Sequence, residues 1–209
     1  MAEVKADSTQ TRGLLDRAGQ GDAQALEQLL VRHRPDLRSF VEFHLDPQLR
    51  ARLDPSDVVQ EAQMELVRRM DDFLQRRPMP FHLWVRKTAY NRLLNLRRDH
   101  RRARRSLARE VAWPERSSLL LARPLVNSGP SPSRQAEARE FAQRVSGAVA
   151  ELAEADREVL LMRHAEDLAY EEIACLLDVE STAARKRYGR ALIRLQKVLT
   201  EHGVLGESS

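Results

Sequence analysis

The 209-residue chain has one cysteine, which excludes an internal disulfide framework and any cluster of thiolates around a metal. Aromatic residues make up only 5% of it, with 8 glycines and 9 prolines. Sandwiches and barrels need many turns and β-branched or aromatic strands, so this composition excludes them in favour of helices. No apolar run approaches the roughly 18 residues of a membrane span. The first residues, MAEVKADSTQTRG, have no hydrophobic signal core. A thiol-poor chain without a leader points to the cytoplasm and away from membrane insertion. The six histidines (His33, His44, His82, His100, His164, His202) are scattered, with no HExxH pair and no His/Asp/Ser constellation, and there is no glycine-rich phosphate loop. The chain is therefore expected not to be an enzyme, with no metal, nucleotide or other cofactor.

What is abundant is charge, at 32% of residues, and its distribution is uneven. The net charge is +4, yet residues 86–105 (RKTAYNRLLNLRRDHRRARR) hold nine basic residues against Asp99, a net +8 that leaves −4 for the rest. Such a block suits phosphate through counterion release. It also suits a solvated Arg-rich helix end, since arginine is a good helix former.

Helical periodicity dominates the chain. Residues 1–12 read as a disordered tail. Asp22 caps a helix carrying Leu26, Leu29, Leu30, His33, Leu37 and Phe40, which Pro35 should kink or restart. Asp54 or Ser56, with Pro55 in the first turn, starts another helix. Val59, Ala62, Leu66, Met70 and Phe73 share one of its faces. Asp57, Gln60, Glu61, Met64, Glu65 and Arg68 share the other. A loop, Gln75–Pro80, precedes a helix from Phe81 through Trp84, Val85, Thr88, Leu93 and Leu96 into the basic block. Pro114, Pro124, Pro130, Pro132 and Asn127-Ser128-Gly129 mark a flexible linker over 106–134, with a short helix around Ser117–Ala122. The expectation is an all-α chain of two small helical domains, 13–105 and 135–202, with tails at 1–12 and 203–209.

The second domain carries a helix-turn-helix pattern: a helix over 156–164 capped by Asp156, a break at 165–167, a short helix over 170–177, a turn at Asp178-Val179-Glu180, and a long final helix from Ser181. Cys175 sits among apolar neighbours as a structural thiol. Ala184, Tyr188, Ala191 and Leu195 form the final helix's apolar stripe. Ser181, Thr182, Arg185, Lys186, Gly189 and Arg190 lie outward near its start, where a recognition helix meets base edges and phosphates. The same pattern also fits the end of a three-helix bundle with exposed basic residues.

Three stretches resemble one family. Leu168-Ala-Tyr-Glu-Glu-Ile-Ala174, with Leu177-Asp-Val179 and Ala183-Ala-Arg-Lys-Arg187, is similar to the region 4 helix-turn-helix of extracytoplasmic-function (group IV) sigma factors of bacterial RNA polymerase. Asp57-Val-Val-Gln-Glu61 is similar to their region 2.2. Phe81, Trp84, Asn91, Arg97 and Arg98 match the spacing of regions 2.3–2.4. Asp167 stands where such proteins usually have glycine. Ala169 replaces the usual serine N-cap, a loss of roughly 1 kcal/mol unless Asp167 substitutes.

The resemblance implies a protein that binds core RNA polymerase, at the largest-subunit clamp and the flap, recognises −10 and −35 promoter elements and opens promoter DNA. It implies polymerase binding by Asp57, Val58, Gln60, Glu61, Met64 and Glu65. It implies −10 binding by Arg76, Arg77, Asn91, Arg92, Arg97 and Arg98, and −35 binding by Ser181, Thr182, Arg185, Lys186, Gly189 and Arg190. Trp84 fits either the core or a stacking platform for a base. An anti-sigma factor is a further implied partner. The alternative is a stand-alone helix-turn-helix regulator with an N-terminal dimerisation or sensor module. A third reading is an Arg-rich RNA-binding protein that folds on its target.

Overall fold

The structure is a computed structural model; it describes residues 5–45, 47–50, 52–103 and 132–204. Among these the chain is helical throughout and falls into two compact units, one within 5–103 and one within 132–204.

The N-terminal unit contains α1 (Thr9–Gly19), α2 (Ala23–His44), α3 (Pro47–Arg50), α4 (Pro55–Arg76) and α5 (Phe81–Ala103). α2, α4 and α5 pack against one another, and α1 lies on α2 and α4. The shared core holds Leu29, Leu37 and Phe40 of α2, Leu66, Met70 and Phe73 of α4, and Phe81, Trp84 and Leu93 of α5. Asp22 caps α2 by accepting from Gln24 N and Ala25 N, and Asp54 caps α4 by accepting from Ser56 N ahead of Pro55.

Two expectations fail in this unit. Part of the stretch expected to be a tail is built into the fold: Ser8 caps α1 by accepting from Thr11 N, and Thr11, Leu14 and Leu15 are buried. Residues 1–4 lie outside the described residues. Pro35, expected to kink or restart α2, does not restart it: the helix runs from Ala23 to His44 without a break. The hydrogen bond that a proline forfeits belongs to the carbonyl of Val31, a residue 64% exposed, so water can serve that carbonyl.

The C-terminal unit contains α6 (Pro132–Glu151), α7 (Glu154–His164), α8 (Tyr170–Leu177) and α9 (Ser181–Glu201). α9 packs on the other three, burying Ala184, Ala191, Leu195 and Leu199 against a core that includes Val145, Leu160, Leu161, Met162 and Ile173. Asp156, expected to cap α7, does not; the N-cap is Ala153, and Asp156 is buried inside the first turn, where Arg194 of α9 donates to it. Arg157 closes the junction with α6 by donating to the carbonyls of Ala150 and Leu152 over 2.7 and 2.9 Å.

Ala169 is the N-cap of α8 and has no side-chain acceptor; Glu172 returns one hydrogen bond, accepting from Ala169 N over 2.9 Å. Asp167 does not substitute as a cap. It takes a positive φ of 52°, the conformation glycine adopts most readily. The turn into α9 places Asp178 at φ 53°, with Val179 N donating to Ala174 O over 3.1 Å. Val179 and Cys175 are half-buried. Gly203 (φ 64°) and Val204, expected to belong to a tail, complete the end of α9 as Val204 N donates to Leu199 O. The linker expected over 106–134 lies outside the described residues up to 131, with its helix around Ser117–Ala122, and α6 begins at Pro132.

Candidate functional site

α4 is built with two faces. Val59, Ala62, Leu66, Met70 and Phe73 are buried, as the periodicity predicts. Asp57, Gln60 and Glu61 are exposed, Met64 is 52% exposed, and Glu65 is half-buried with Arg68 3.3 Å away. Val58 is a correction: it is 1% exposed and belongs to the core, because the buried arc of α4 is wide enough to take in the residue beside Val59. It cannot touch a partner.

The loop between α4 and α5 is shorter than expected. Gln75 and Arg76 complete α4, and Arg77 ends it at φ 38°. Arg76 pairs with Asp72 and Arg77 with Asp16, each over 2.8 Å. Met79 and Pro80 are half-buried.

On α5, Asn91 and Arg98 are exposed and Arg92 is half-buried. Arg98 donates to Asn95. Arg92 pairs with Glu61 of α4 through two nitrogens, Nε over 2.6 Å and Nη2 over 2.5 Å. Arg97 is half-buried and donates to the carbonyl of His44, the last residue of α2, over 2.7 Å. A helix C-terminus leaves carbonyls unsatisfied and favours a cation, so this guanidinium secures the end of α2. Arg104 and Arg105 lie outside the described residues.

Together α4 and α5 enclose a groove of about 670 Å³ lined by Glu61, Met64, Arg68, Asn91, Arg92 and Arg98 among others. Glu61, Met64 and Glu65, expected to meet a protein, and Asn91, Arg92 and Arg98, expected to meet DNA, therefore border one depression; Asp57, Gln60, Arg76 and Arg77 do not line it.

Trp84 is 6% exposed and stacks on Phe73 with centroids 4.3 Å apart. It is a core residue and offers no face to a base.

On α9, Thr182, Arg185, Lys186 and Arg190 are exposed, with Ser181 and Gly189 half-buried. A Cβ added at Gly189 would meet nothing within 4 Å outside its own helix backbone, so the absence of a side chain leaves an open notch in this face.

Sequence spacing missed Tyr170. The guanidinium of Arg185 lies over its ring at 5.0 Å, and that of Arg163 at 5.3 Å. Arg163 is itself anchored by donating to Leu168 O over 2.8 Å. Tyr188 meets Tyr170 edge-on at 5.7 Å, and its hydroxyl lies 2.8 Å from His164 Nε2. These residues come from three helices, so no local pattern could reveal the cluster. Its effect is to hold Arg185 with little rotamer freedom, which lowers the entropic cost of a contact made by that side chain.

In comparison with known proteins, one family model falls on each of the two units. Residues 29–103 match the family description Sigma-70 region 2, and residues 142–195 match Sigma-70, region 4. The two stretches together span well over half of the chain, and the chain belongs to the sigma-70 family. Within it, this is an RNA polymerase sigma factor of the extracytoplasmic-function (ECF) kind, a protein of transcription initiation. The RNA polymerase sigma factor CnrH of Cupriavidus metallidurans is 29% identical over 188 residues, 90% of this chain and 93% of that one. The ECF RNA polymerase sigma-E factor of Escherichia coli is 28% identical over 178 residues, 85% of this chain and 88% of that one.

Two solved structures share the fold. CnrH in complex with the cytosolic domain of CnrY aligns with a TM-score of 0.56 at 23% identity, covering 92% of this chain and 99% of that one. The sigma factor RpoE in complex with the anti-sigma factor NepR, from Bartonella quintana, aligns with a TM-score of 0.53 at 19% identity, covering 85% and 98%. Among the described residues no helix is long and apolar enough to cross a membrane.

Proposed function

We propose that this sigma factor docks on core RNA polymerase through Asp57, Gln60, Glu61, Met64 and Glu65 of α4, and holds the −10 element with Arg76, Arg77, Asn91, Arg92 and Arg98. Ser181, Thr182, Arg185, Lys186, Gly189 and Arg190 of α9 read the −35 element. The observation that carries this reading is the shared groove, where Glu61, Met64 and Glu65 of α4, with Arg68 and Arg69 beside them, adjoin Asn91, Arg92 and Arg98 of α5. Carboxylates on α4 suit a partner's arginines. Asn91 offers an amide for a base edge, and the surrounding arginines suit phosphates. A dimerisation or sensor module has no use for the second face.

The protein acts in the cytoplasm as a specificity subunit and contributes no catalytic residue of its own. An anti-sigma factor is a fitting partner, because CnrH and the Bartonella RpoE are each solved with a bound regulator or domain. Exposed Met64 and Val67 on α4, and Leu192 and Ile193 on α9, offer it apolar contacts.

Run-off transcription with purified core polymerase and genomic promoter fragments tests the reading. The expected result is initiation at a discrete set of promoters that core polymerase alone ignores. A chain that neither co-purifies with core polymerase nor directs initiation anywhere would sink it.

A further inference from the structure

α5 begins at Phe81, directly after Pro80, and proline has no side-chain acceptor for the unpaired N–H groups of a helix start. The acceptor comes from the other end of the unit. Asp7 accepts from Phe81 N over 2.6 Å and from His82 N over 3.2 Å, and its Oδ1 lies 3.0 Å from His82 Nδ1. The carboxylate is only 9% exposed. Burial pushes its pKa up, but the hydrogen bonds from the His82 ring and the two backbone amides outweigh that and hold it below the ordinary 3.8.

The opposite end of the loop is held in the same manner. Asp16 of α1 accepts from Arg77 Nη2 over 2.8 Å, and Arg77 is the left-handed residue that ends α4. The loop Arg77–Pro80 thus has one carboxylate at each end, both from residues 7–16. Between them Pro78 and Pro80 fix their own φ. The anchoring segment is itself secured: Thr11 is buried with its hydroxyl 3.3 Å from His33 Nε2, and Gln10 accepts from Arg32 over 2.6 Å.

We propose that Asp7 and Asp16 are positioning residues for the loop 77–80, fixing it in one conformation for capture of an unstacked promoter base. This rests on the −10 assignment made under Proposed function, with the loop that follows Arg77 taken as the place where the unstacked base is received. Neither carboxylate touches DNA; Asp16 acts through Arg77 and Asp7 through the start of α5. A loop already ordered at both ends loses little freedom when it closes on a base, so the anchors favour opening more than initial binding.

The test uses holoenzyme reconstituted from core polymerase and the full chain, on a promoter that the wild type opens. Closed-complex affinity is measured by competition, and opening by fluorescence of 2-aminopurine placed in the −10 element. Asp16→Ala should lower opening per bound holoenzyme roughly threefold, the scale of an exposed ion pair, with affinity and melting temperature unchanged. Asp7→Ala should lower it about fivefold, the scale of a lost helix cap, and Asp7→Asn should restore most of that because an acceptor oxygen remains.

Opening that stays at the wild-type level in both alanine variants, or that falls only in step with affinity or melting temperature, overturns the proposal. Should Asp7→Ala melt below the assay temperature, Asp16→Ala decides alone, since its ion pair is exposed. Wild-type holoenzyme that opens no promoter is a different failure, that of the functional reading beneath.

Discussion

Arg92 of α5 donates through Nε to Oε2 of Glu61 on α4 across 2.6 Å, so a single ion pair joins the two faces assigned to DNA and to polymerase. The side chains are 35% and 49% exposed, which limits the pair to about 1 kcal/mol or less. It is therefore easily exchanged for a partner's charges. Glu61→Gln should leave the melting temperature within about 2 °C of wild type. The same change removes a charge-assisted hydrogen bond to polymerase and should weaken holoenzyme formation about five- to tenfold. Thermal melting and competition binding to labelled core polymerase check the two halves separately. Equal polymerase affinity in Glu61→Gln would remove Glu61 from the docking face.

Much of this was legible in the residues themselves. The apolar stripe of α4, the caps at Asp22 and Asp54 and the helix-turn-helix breaks follow from spacing and local chemistry, and the structure places them where those rules do. What spacing could not show were contacts made at long range. Asp7 has a function only because residues 81 and 82 come to meet it, so the segment around it looked like a tail. Arg97 belongs to a basic run, and nothing in that run shows that it also holds the carbonyl of His44. Val58 lies at the edge of the apolar arc, where a periodicity of 3.6 residues leaves the side of the helix ambiguous. Asp156 is a plausible cap by sequence, and its burial beside Arg194 depends on how α9 packs.

Asp167 holds a left-handed φ of 52° with its side chain 96% exposed, near Arg163 at 3.7 Å. A non-glycine residue is strained there, and so exposed an ion pair returns little. Asp167→Gly should stabilise the C-terminal unit by up to about 1 kcal/mol, the greater unfolded-chain entropy of glycine offsetting part of the relief. Slower amide exchange in α7 and α8 would register it. A loss of stability would mean that the Arg163 contact outweighs the backbone strain.

His33 is half-buried, 5.0 Å from the ring of Phe81 and within reach of Thr11. Burial is the largest influence and holds its pKa below the ordinary 6.5, against the weaker pull of Asp36 and Asp7. The unfolded chain therefore takes up the proton first as pH falls. The stability contribution is complete above pH 6.5 and is lost as pH drops through the lower folded value. The Asp7 carboxylate adds the same sign further down, since its stabilisation is lost only as pH falls below 3.8. The melting temperature of the N-terminal unit should thus fall between about pH 7 and about pH 5.5, and His33→Gln should flatten that slope. A slope equally steep in the variant would assign the pH dependence elsewhere.

Trp84 distinguishes a structural aromatic from a nucleic-acid platform. Its ring is 6% exposed, parallel to Phe73 within 23° and 5.7 Å from Phe81, so both chemical environment and access favour packing. Truncation leaves a cavity beside the rings of Phe73 and Phe81 that cannot collapse readily. Trp84→Ala should cost about 3–5 kcal/mol in a urea melt of the N-terminal unit. Trp84→Phe keeps an apolar ring in the same space and should cost under about 2 kcal/mol. The decisive quantity is promoter affinity per folded molecule. A stacking platform would lose affinity in Trp84→Phe even where folding is intact, because the smaller ring stacks less area against a base. A core residue leaves that affinity unchanged, and the packing against Phe73 requires this second outcome.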